Sequence, residues 1–312
     1  MKFILLSDLH LTCNTPIARL DNIEETWKRK LKFILDYAKL NEMKILVAGD
    51  FFDRPRDWRI VTEFLKLMED YEGVTISSVF GQHDMYLYSK DRYSTSLGVL
   101  IKTGMISELD ITPWCFPIYR NNYLKDFIHI NEETIGIYGA SWGQEIPDPN
   151  RNINILVIHK NISDAPLFPG HEYTGAELFL KSHPEYHVII CGDIHKRFFF
   201  QKNGRIIVNP GPLLRMEATD YNMTYDPAFP VLDIDTQSVE WVTIPHEPAE
   251  KVLSRKHIEN KKETESMLDE FIKNVSVDHK ITFSFKENLQ EYLTNNNIPQ
   301  DVKNIISKIM ED

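Results

Sequence analysis

A chain of 312 residues, 42% apolar and 26% charged, carries enough apolar material for one large core or two modest ones, and its composition excludes bulk disorder. No apolar run approaches the roughly 20 residues that span a bilayer. The run Phe3 to Leu6 is too short for a secretory leader and is interrupted by Asp8 and His10, so a cytoplasmic protein without a membrane partner is expected. A formal charge of -11 excludes a protein that holds nucleic acid by its own field, although it leaves room for a nuclease whose acidic site is masked by divalent cations.

Lys2 to Ser7 is aliphatic with almost no alternation, which predicts a buried parallel strand. Asn22 or Asp21 can cap a helix from Ile23 to Leu40 in which Trp27, Leu31, Ile34, Leu35 and Ala38 form one stripe. The strand Lys44 to Ala48 completes a βαβ unit. A second helix runs from Arg56-Asp57-Trp58 to about Glu69, followed by a strand from Val74 to Phe80 and a short helix from Ser94 to Lys102. That short helix suits packing over the sheet edge and a substrate-side role equally.

Thr134 to Tyr138 and Ile153 to Ile158 read as strands on either side of a polar linker over 145 to 152. A helix around Gly175 to Ser182 stops before Pro184, and His187 to Cys191 is a central strand. Lys196 to Phe200 and Arg205 to Asn209 form a hairpin whose Asn203-Gly204 supplies a primed turn, and Pro230 to Asp235 pairs with Val239 to Ile244 in another. These elements predict an α/β fold, a four-layer αββα sandwich of two facing sheets with helices outside.

Past Pro248 the composition changes. Lys251 to Glu270 is highly charged, and brief elements follow: helices near Thr264 to Lys273, Glu287 to Leu293 and Gln300 to Met310, with a strand at Lys280 to Phe285. Residues 1 to 248 therefore read as the main domain. Residues 249 to 312 read as a small α+β appendage, a candidate docking element, with Val302, Ile305, Ile306 and Ile309 along one helix face.

Five of the strands end in the same way. They deliver Asp8 and His10; Gly49 and Asp50; Gly81, Gln82, His83 and Asp84; His159; and Gly192, Asp193 and His195. Open α/β sheets present their chemistry at such carboxyl ends, and five repeats of Asp, His and an amide are hard to obtain from loop polarity alone. Two divalent metals about 3.5 to 4 Å apart can clamp a phosphoryl group for in-line attack, and their mutual repulsion calls for a carboxylate between them. The position of Asp50 after its glycine suits that bridge.

The ordered motifs Asp8-Leu9-His10, Gly49-Asp50, Gly81-Gln82-His83-Asp84, His159 and Gly192-Asp193-Ile194-His195 resemble those of the calcineurin-like metallophosphoesterases. Gln82 stands where that family usually has Asn, and Asp193 where it usually has His. Within the superfamily the chain looks most like the nuclease subunit of the bacterial SbcCD complex, in its short phage-type form, which places it in the host cytoplasm if a phage encodes it. The resemblance implies Asp8, His10 and His195 at one metal, Gln82, His159 and Asp193 at the other, and Asp50 between them. It makes His83 the residue that meets the scissile phosphate and the leaving alkoxide, with Asp84 holding its other ring nitrogen.

Mixed oxygen and imidazole ligands suit Mn, Fe, Zn or Ni, and the harder anion at Asp193 favours Mn. The implied activity is DNA phosphodiester hydrolysis, as a 3′-5′ exonuclease with endonuclease activity as an option. The implied partners are DNA and an SbcC-like coiled-coil ATPase subunit, with a homodimer as a further option. Alternatives are a stand-alone phosphoesterase for nucleotides, cyclic nucleotides or phosphoproteins, and a non-catalytic scaffold of the same fold. Asp53 and Arg54 suit a local salt bridge or a substrate contact, Arg215 a phosphate contact or a solvated surface, and Tyr86 and Tyr88 a base stack or, slightly better, packing of their own loop. Cys13, Cys115 and Cys191 have no metal-binding spacing, and Cys115 and Cys191 read as small buried hydrophobes.

Overall fold

The computed structural model describes residues 1–88, 91–117, 134–256, 267, 285–296 and 298–309. Two compact units result, Met1–Ser254 and Arg255–Asp312. No helix of the described residues is long and apolar enough to cross a membrane.

The first unit begins with β1 (Lys2–Leu6), α1 (Ile23–Leu40), β2 (Lys44–Val47), α2 (Trp58–Met68), β3 (Ile76–Ser78), α3 (Ser96–Lys102) and β4 (Ser107–Glu108). Then come β5 (Trp114–Pro117), β6 (Thr134–Ala140), β7 (Ile153–His159), the short pair β8 (Ile162–Ser163) and β9 (Thr174–Gly175), α4 (Ala176–Ser182) and β10 (Val188–Gly192). It closes with β11 (Phe198–Lys202), β12 (Arg205–Asn209), α5 (Asp220–Thr224), β13 (Ala228–Asp233), β14 (Ser238–Thr243) and α6 (Ala249–Val252).

Two sheets of six strands result, ordered β14-β13-β1-β2-β3-β4 and β11-β12-β10-β7-β6-β5. Strands β1 to β4 run parallel in the first, and β6, β7, β10 and β12 run parallel in the second; both sheets carry antiparallel strands at an edge.

The missing alternation of the central strands has a direct cause, because each is apolar on both faces. Along β1, Ile4 and Leu6 enter the core beneath α1 to α3, while Phe3 and Leu5 enter the core between the sheets. On the opposing sheet Ile155, Val157, Val188 and Ile190 meet that same central core, and Leu156, Ile158, Ile189 and Cys191 turn outward to a third core with Phe179 and Leu180 of α4. Three stacked cores make four layers, the αββα sandwich. The stripe of α1 is almost wholly buried, and each such large side chain contributes about 1.5 to 3 kcal/mol.

Local chemistry sets the helix starts. Asn22 caps α1 by accepting from the amides of Glu24 (2.9 Å) and Glu25 (3.3 Å), while Asp21 instead receives Arg19 and Thr26. Asp57 caps α2, so that helix begins at Trp58. In α3, Leu97 and Leu100 are buried in the first core, which is the packing role. The Asn203-Gly204 turn has positive φ at both residues (52° and 74°), as a primed hairpin requires.

Arg215 is neither solvated nor directed at the site. It is buried and donates to the carbonyls of Tyr225, at the end of α5, and Glu247, beyond β14. Cys191 is buried as expected, but Cys115 is exposed, since it lies on the edge strand β5.

By itself, the second unit includes, among its described residues, the helices α7 (Phe285–Asn295) and α8 (Gln300–Ile309). Phe285 opens a helix rather than ending a strand. The rest of the expected strand, residues 280 to 284, and nearly all of the expected helix over 264 to 273 lie outside the described residues.

The division between the units falls after Ser254. Ala249, Val252 and Leu253 are buried in the first unit, where Leu20 donates to the Val252 carbonyl at 3.0 Å and Ser254 to that of Ala18 at 2.8 Å. A chain ended at Pro248 is therefore expected to be less stable than one ended at Ser254 by about 3 kcal/mol or more, the burial of two large aliphatics. Urea unfolding of the two truncations checks this, and equal midpoints would move the boundary back to Pro248.

Candidate metal centre

The parallel strands of both sheets deliver their following loops to one edge of the sandwich. Asp8 follows β1, Asp50 follows β2, Gln82 and His83 follow β3, His159 ends β7, and Asp193 and His195 follow β10. The two sheets are tied together there, because Nδ1 of His159 meets the Ala48 carbonyl at 2.6 Å.

The loops are strained. Asp8, His10, Asp50 and Asp193 all have positive φ, at 50°, 43°, 48° and 98°. Such conformations cost about 1 to 3 kcal/mol each and persist only where the surroundings over-determine them. Close approach supplies part of that determination: a Cβ on Gly81 would lie 2.0 Å from Oδ1 of Asp50. Amides then fix the carboxylates, with His83 N donating to Asp50 Oδ1 at 2.9 Å and Asp193 N to Asp8 Oδ1 at 3.0 Å.

Among the described residues three groups of donors converge: Asp8, His10 and His195; His10, Asp50 and His83; and Asp8, Asp50 and His159. The Nε2 atoms of His10 and His195 lie 3.0 Å apart, Asp50 Oδ2 lies 3.7 Å from His10 Nε2 and 3.4 Å from His159 Nε2, and Asp8 Oδ1 lies 3.9 Å from His195 Nε2. The first expected trio is thus brought together, and Asp50 sits between it and His159. Asp193 Oδ1 is 4.0 Å from His159 Nε2 and accepts a hydrogen bond from Gln82 Nε2 at 2.7 Å, so the two residues that depart from the family pattern contact each other.

These residues fit a pair of divalent ions. Asp8 Oδ2, Asp50 Oδ2, Gln82 Oε1 and His159 Nε2 are buried without a hydrogen-bond partner, an arrangement that is costly unless a cation faces it. The field of the site points the same way. Burial opposes a charged ring at His159, yet Asp50, Asp8 and the Ala48 carbonyl raise its pKa to about 10. Burial likewise opposes ionisation of Asp50, but His159 and His10 hold it down at about 2. His10, whose burial outweighs the pull of Asp50, falls to about 3 and is a neutral donor. Burial raises Asp8, with His195 and His159 opposing. A metal would displace the proton from His159 on binding.

Asp84 corrects an expectation. It does not hold the ring of His83. Its carboxylate is buried and accepts three backbone amides, from Phe51 (3.1 Å), Phe52 (3.0 Å) and Gly81 (3.0 Å). A carboxylate this close to the Gly49-Asp50 and Gly81-Gln82 turns locks one loop to the other. Burial and the nearby Asp50 charge push its pKa up to about 7 against those three donors. The partner of His83 Nδ1 is instead the Asp53 carbonyl at 3.0 Å.

The Asp53 side chain lies 3.9 Å from His10 Nδ1 and 4.0 Å from Arg54 Nε, and burial raises its pKa. The exposed ring of Tyr86 carries the guanidinium of Arg56, from the loop after β2, 3.8 Å over its face. A part of the site that sequence reasoning missed is a cleft of about 620 Å³ that runs from His10, Asp53, His83 and His195 to Leu167 and the 212–222 segment. Nothing in the spacing of Pro212, Leu214, Met216, Tyr221 or Asn222 marks them before the turn after β12 is folded.

A buried constellation of carboxylates and imidazoles at the carboxyl ends of two facing sheets defines a metal-dependent hydrolase centre. The sequence matches the Calcineurin-like phosphoesterase superfamily domain over residues 1–236, and the chain belongs to that superfamily. Phosphoesterase chemistry with divalent metals follows from that membership together with the donor groups.

An uncharacterized protein of Acanthamoeba polyphaga mimivirus is 22% identical over 225 residues, 69% of this chain but only 16% of that protein's length. Among solved structures, an archaeal phosphodiesterase aligns at 14% identity over 78% of this chain and 100% of its own, with a TM-score of 0.39. An anchor protein of the inner membrane complex of Plasmodium aligns at 11% identity over 80% and 90%, with a TM-score of 0.44. These likenesses say nothing about substrate.

The different partners of His83 and Asp84 separate their roles. Asp84→Ala, which strands three buried amides, is expected to cost about 3 kcal/mol or more of stability. His83→Ala is expected to leave stability within about 1 kcal/mol while lowering turnover about 10²- to 10⁴-fold. Denaturant unfolding beside a phosphodiester assay distinguishes them; a stability loss at His83 equal to that at Asp84 would contradict the assignment.

Proposed function

We propose that the chain is a two-metal phosphodiesterase that cuts DNA, with Mn as its preferred ion and a coiled-coil ATPase of the SbcC type as its partner. The observation that carries this reading is the cleft. It joins the donor cluster directly to a run of apolar and aromatic wall, so that a bound ester has room for far more than its phosphate. The oxygen donors Gln82 and Asp193 support a hard ion such as Mn.

In this reading Asp8, His10 and His195 hold one ion, Gln82, His159 and Asp193 the other, and Asp50 faces both. Two divalent ions held there would supply Lewis-acid polarisation of the phosphoryl group and offset its charge. The chain's own residues do the rest. The Asp53 carbonyl accepts from Nδ1 of His83, which orients the ring and leaves Nε2 to meet the leaving 3′-alkoxide. Asp84 keeps Asp50 and His83 in register through the amides of both loops. A net charge of -11 means that the chain itself attracts DNA weakly, which suits a basic track supplied by the ATPase. The second unit, Arg255–Asp312, is the proposed docking element for that partner.

The purified chain is expected, with Mn, to shorten linear DNA strands from the 3′ end and to hydrolyse bis-p-nitrophenyl phosphate. Release of phosphate from nucleoside monophosphates, with no cutting of single- or double-stranded DNA, would replace this reading with that of a stand-alone nucleotide phosphatase.

A further inference from the structure

The wall of the cleft away from the metal donors is built as carefully as the centre. Tyr221 lines it, with its hydroxyl accepting from the Arg197 amide at 3.1 Å and its ring stacked on Tyr225, centroids 5.0 Å apart at 30°. Tyr225 is itself fixed: it is buried, its hydroxyl donates to the Pro212 carbonyl at 3.0 Å, and its own carbonyl accepts twice from Arg215. The Tyr221 ring is therefore a rigid platform with one face already occupied. Beside it stands Asn222, only 9% exposed. Its Nδ2 donates to the Glu217 carbonyl at 2.9 Å, its amide to Thr219 Oγ1 at 3.2 Å, and its Oδ1 has no partner. Leu214 and Met216 add apolar wall, and Lys196 lines the cleft next to His195.

A buried amide oxygen without a partner, on a residue that lines the same cleft as a fixed aromatic ring, is costly unless a ligand offers it a donor. A flat heterocycle with an exocyclic amine answers both features, since stacking uses its face and the amine its edge. We infer that the Tyr221–Asn222 wall is a subsite for the base of the nucleotide whose phosphate lies at the metal centre, with adenine and cytosine preferred over thymine. This rests on the phosphodiesterase reading above, and it adds a base preference that the metal donors alone do not give.

The test uses the full chain and p-nitrophenyl 5′-phosphodiesters of deoxyadenosine, deoxycytidine and thymidine against methyl p-nitrophenyl phosphate, which has no base. Stacking of one base predicts kcat/KM about ten-fold or more higher for the nucleoside esters, and one neutral hydrogen bond predicts a preference of about 3- to 10-fold for the adenine and cytosine esters. Tyr221→Leu should collapse the first ratio, Tyr221→Phe should keep it, and Asn222→Ala should erase the second. A wild-type ratio near one, or a ratio that survives Tyr221→Leu, overturns the subsite.

Saturation-transfer NMR of free deoxyadenosine on the wild-type chain gives an independent reading that needs no turnover and no variant. Transfer is expected, with the base protons strongest, and its absence overturns the proposal. Should no ester be hydrolysed with any divalent ion, the phosphodiesterase reading fails, whereas the NMR result still decides the subsite.

Discussion

Two carboxylates without solvent exposure, Asp8 and Asp50, stand among the imidazoles of His10, His159 and His195, and this concentration of buried charge governs the molecule. In water each group would be hydrated. Here part of each charge is met by backbone amides, and the remaining oxygen of each carboxylate has no hydrogen-bond partner. A protein that buries such groups either neutralises them or binds cations. Against its burial, His159 is raised to about 10 by Asp50 and Asp8, so the field of the buried carboxylates favours a positive charge beside them.

The architecture serves that constraint. Parallel strands, apolar on both faces, form a rigid pair of sheets whose carboxyl ends coincide, so donors far apart in sequence meet without any one loop reaching far. Strained φ values at Asp8, His10, Asp50 and Asp193 are the local cost of aiming the side chains inward. Gly81 permits the closest contact, and Asp84 binds the two central loops through three amides. Gln82 donates its amide to Asp193, and its own carbonyl oxygen is left without a hydrogen-bond partner inside the site.

Much of this was legible before folding. Apolar runs ending in Gly, Asp or His are local signals, and they gave β1, β2, β7 and β10 and the donors that follow them. The helix start at Asn22 or Asp21, which the fold resolves to Asn22, and the Asn203-Gly204 turn were equally local. What stayed hidden depends on three-dimensional neighbours. Asp84 adjoins the ring of His83 in sequence, whereas amides from a distant loop claim its carboxylate first. Arg215 could be placed only once the carbonyls of Tyr225 and Glu247 were seen to need it. The short helix α5 and the cleft wall beside it carry no periodic signal, since five residues make little more than one turn.

The most direct measurement is calorimetric titration of the metal-stripped chain with Mn, followed by thermal unfolding of the product. The account predicts two ions bound per chain and a stability gain of about 2.7 kcal/mol for each site held at a hundred times its Kd, with Asp50→Asn reducing both. Failure to saturate, or an unfolding midpoint that Mn does not move, would contradict it.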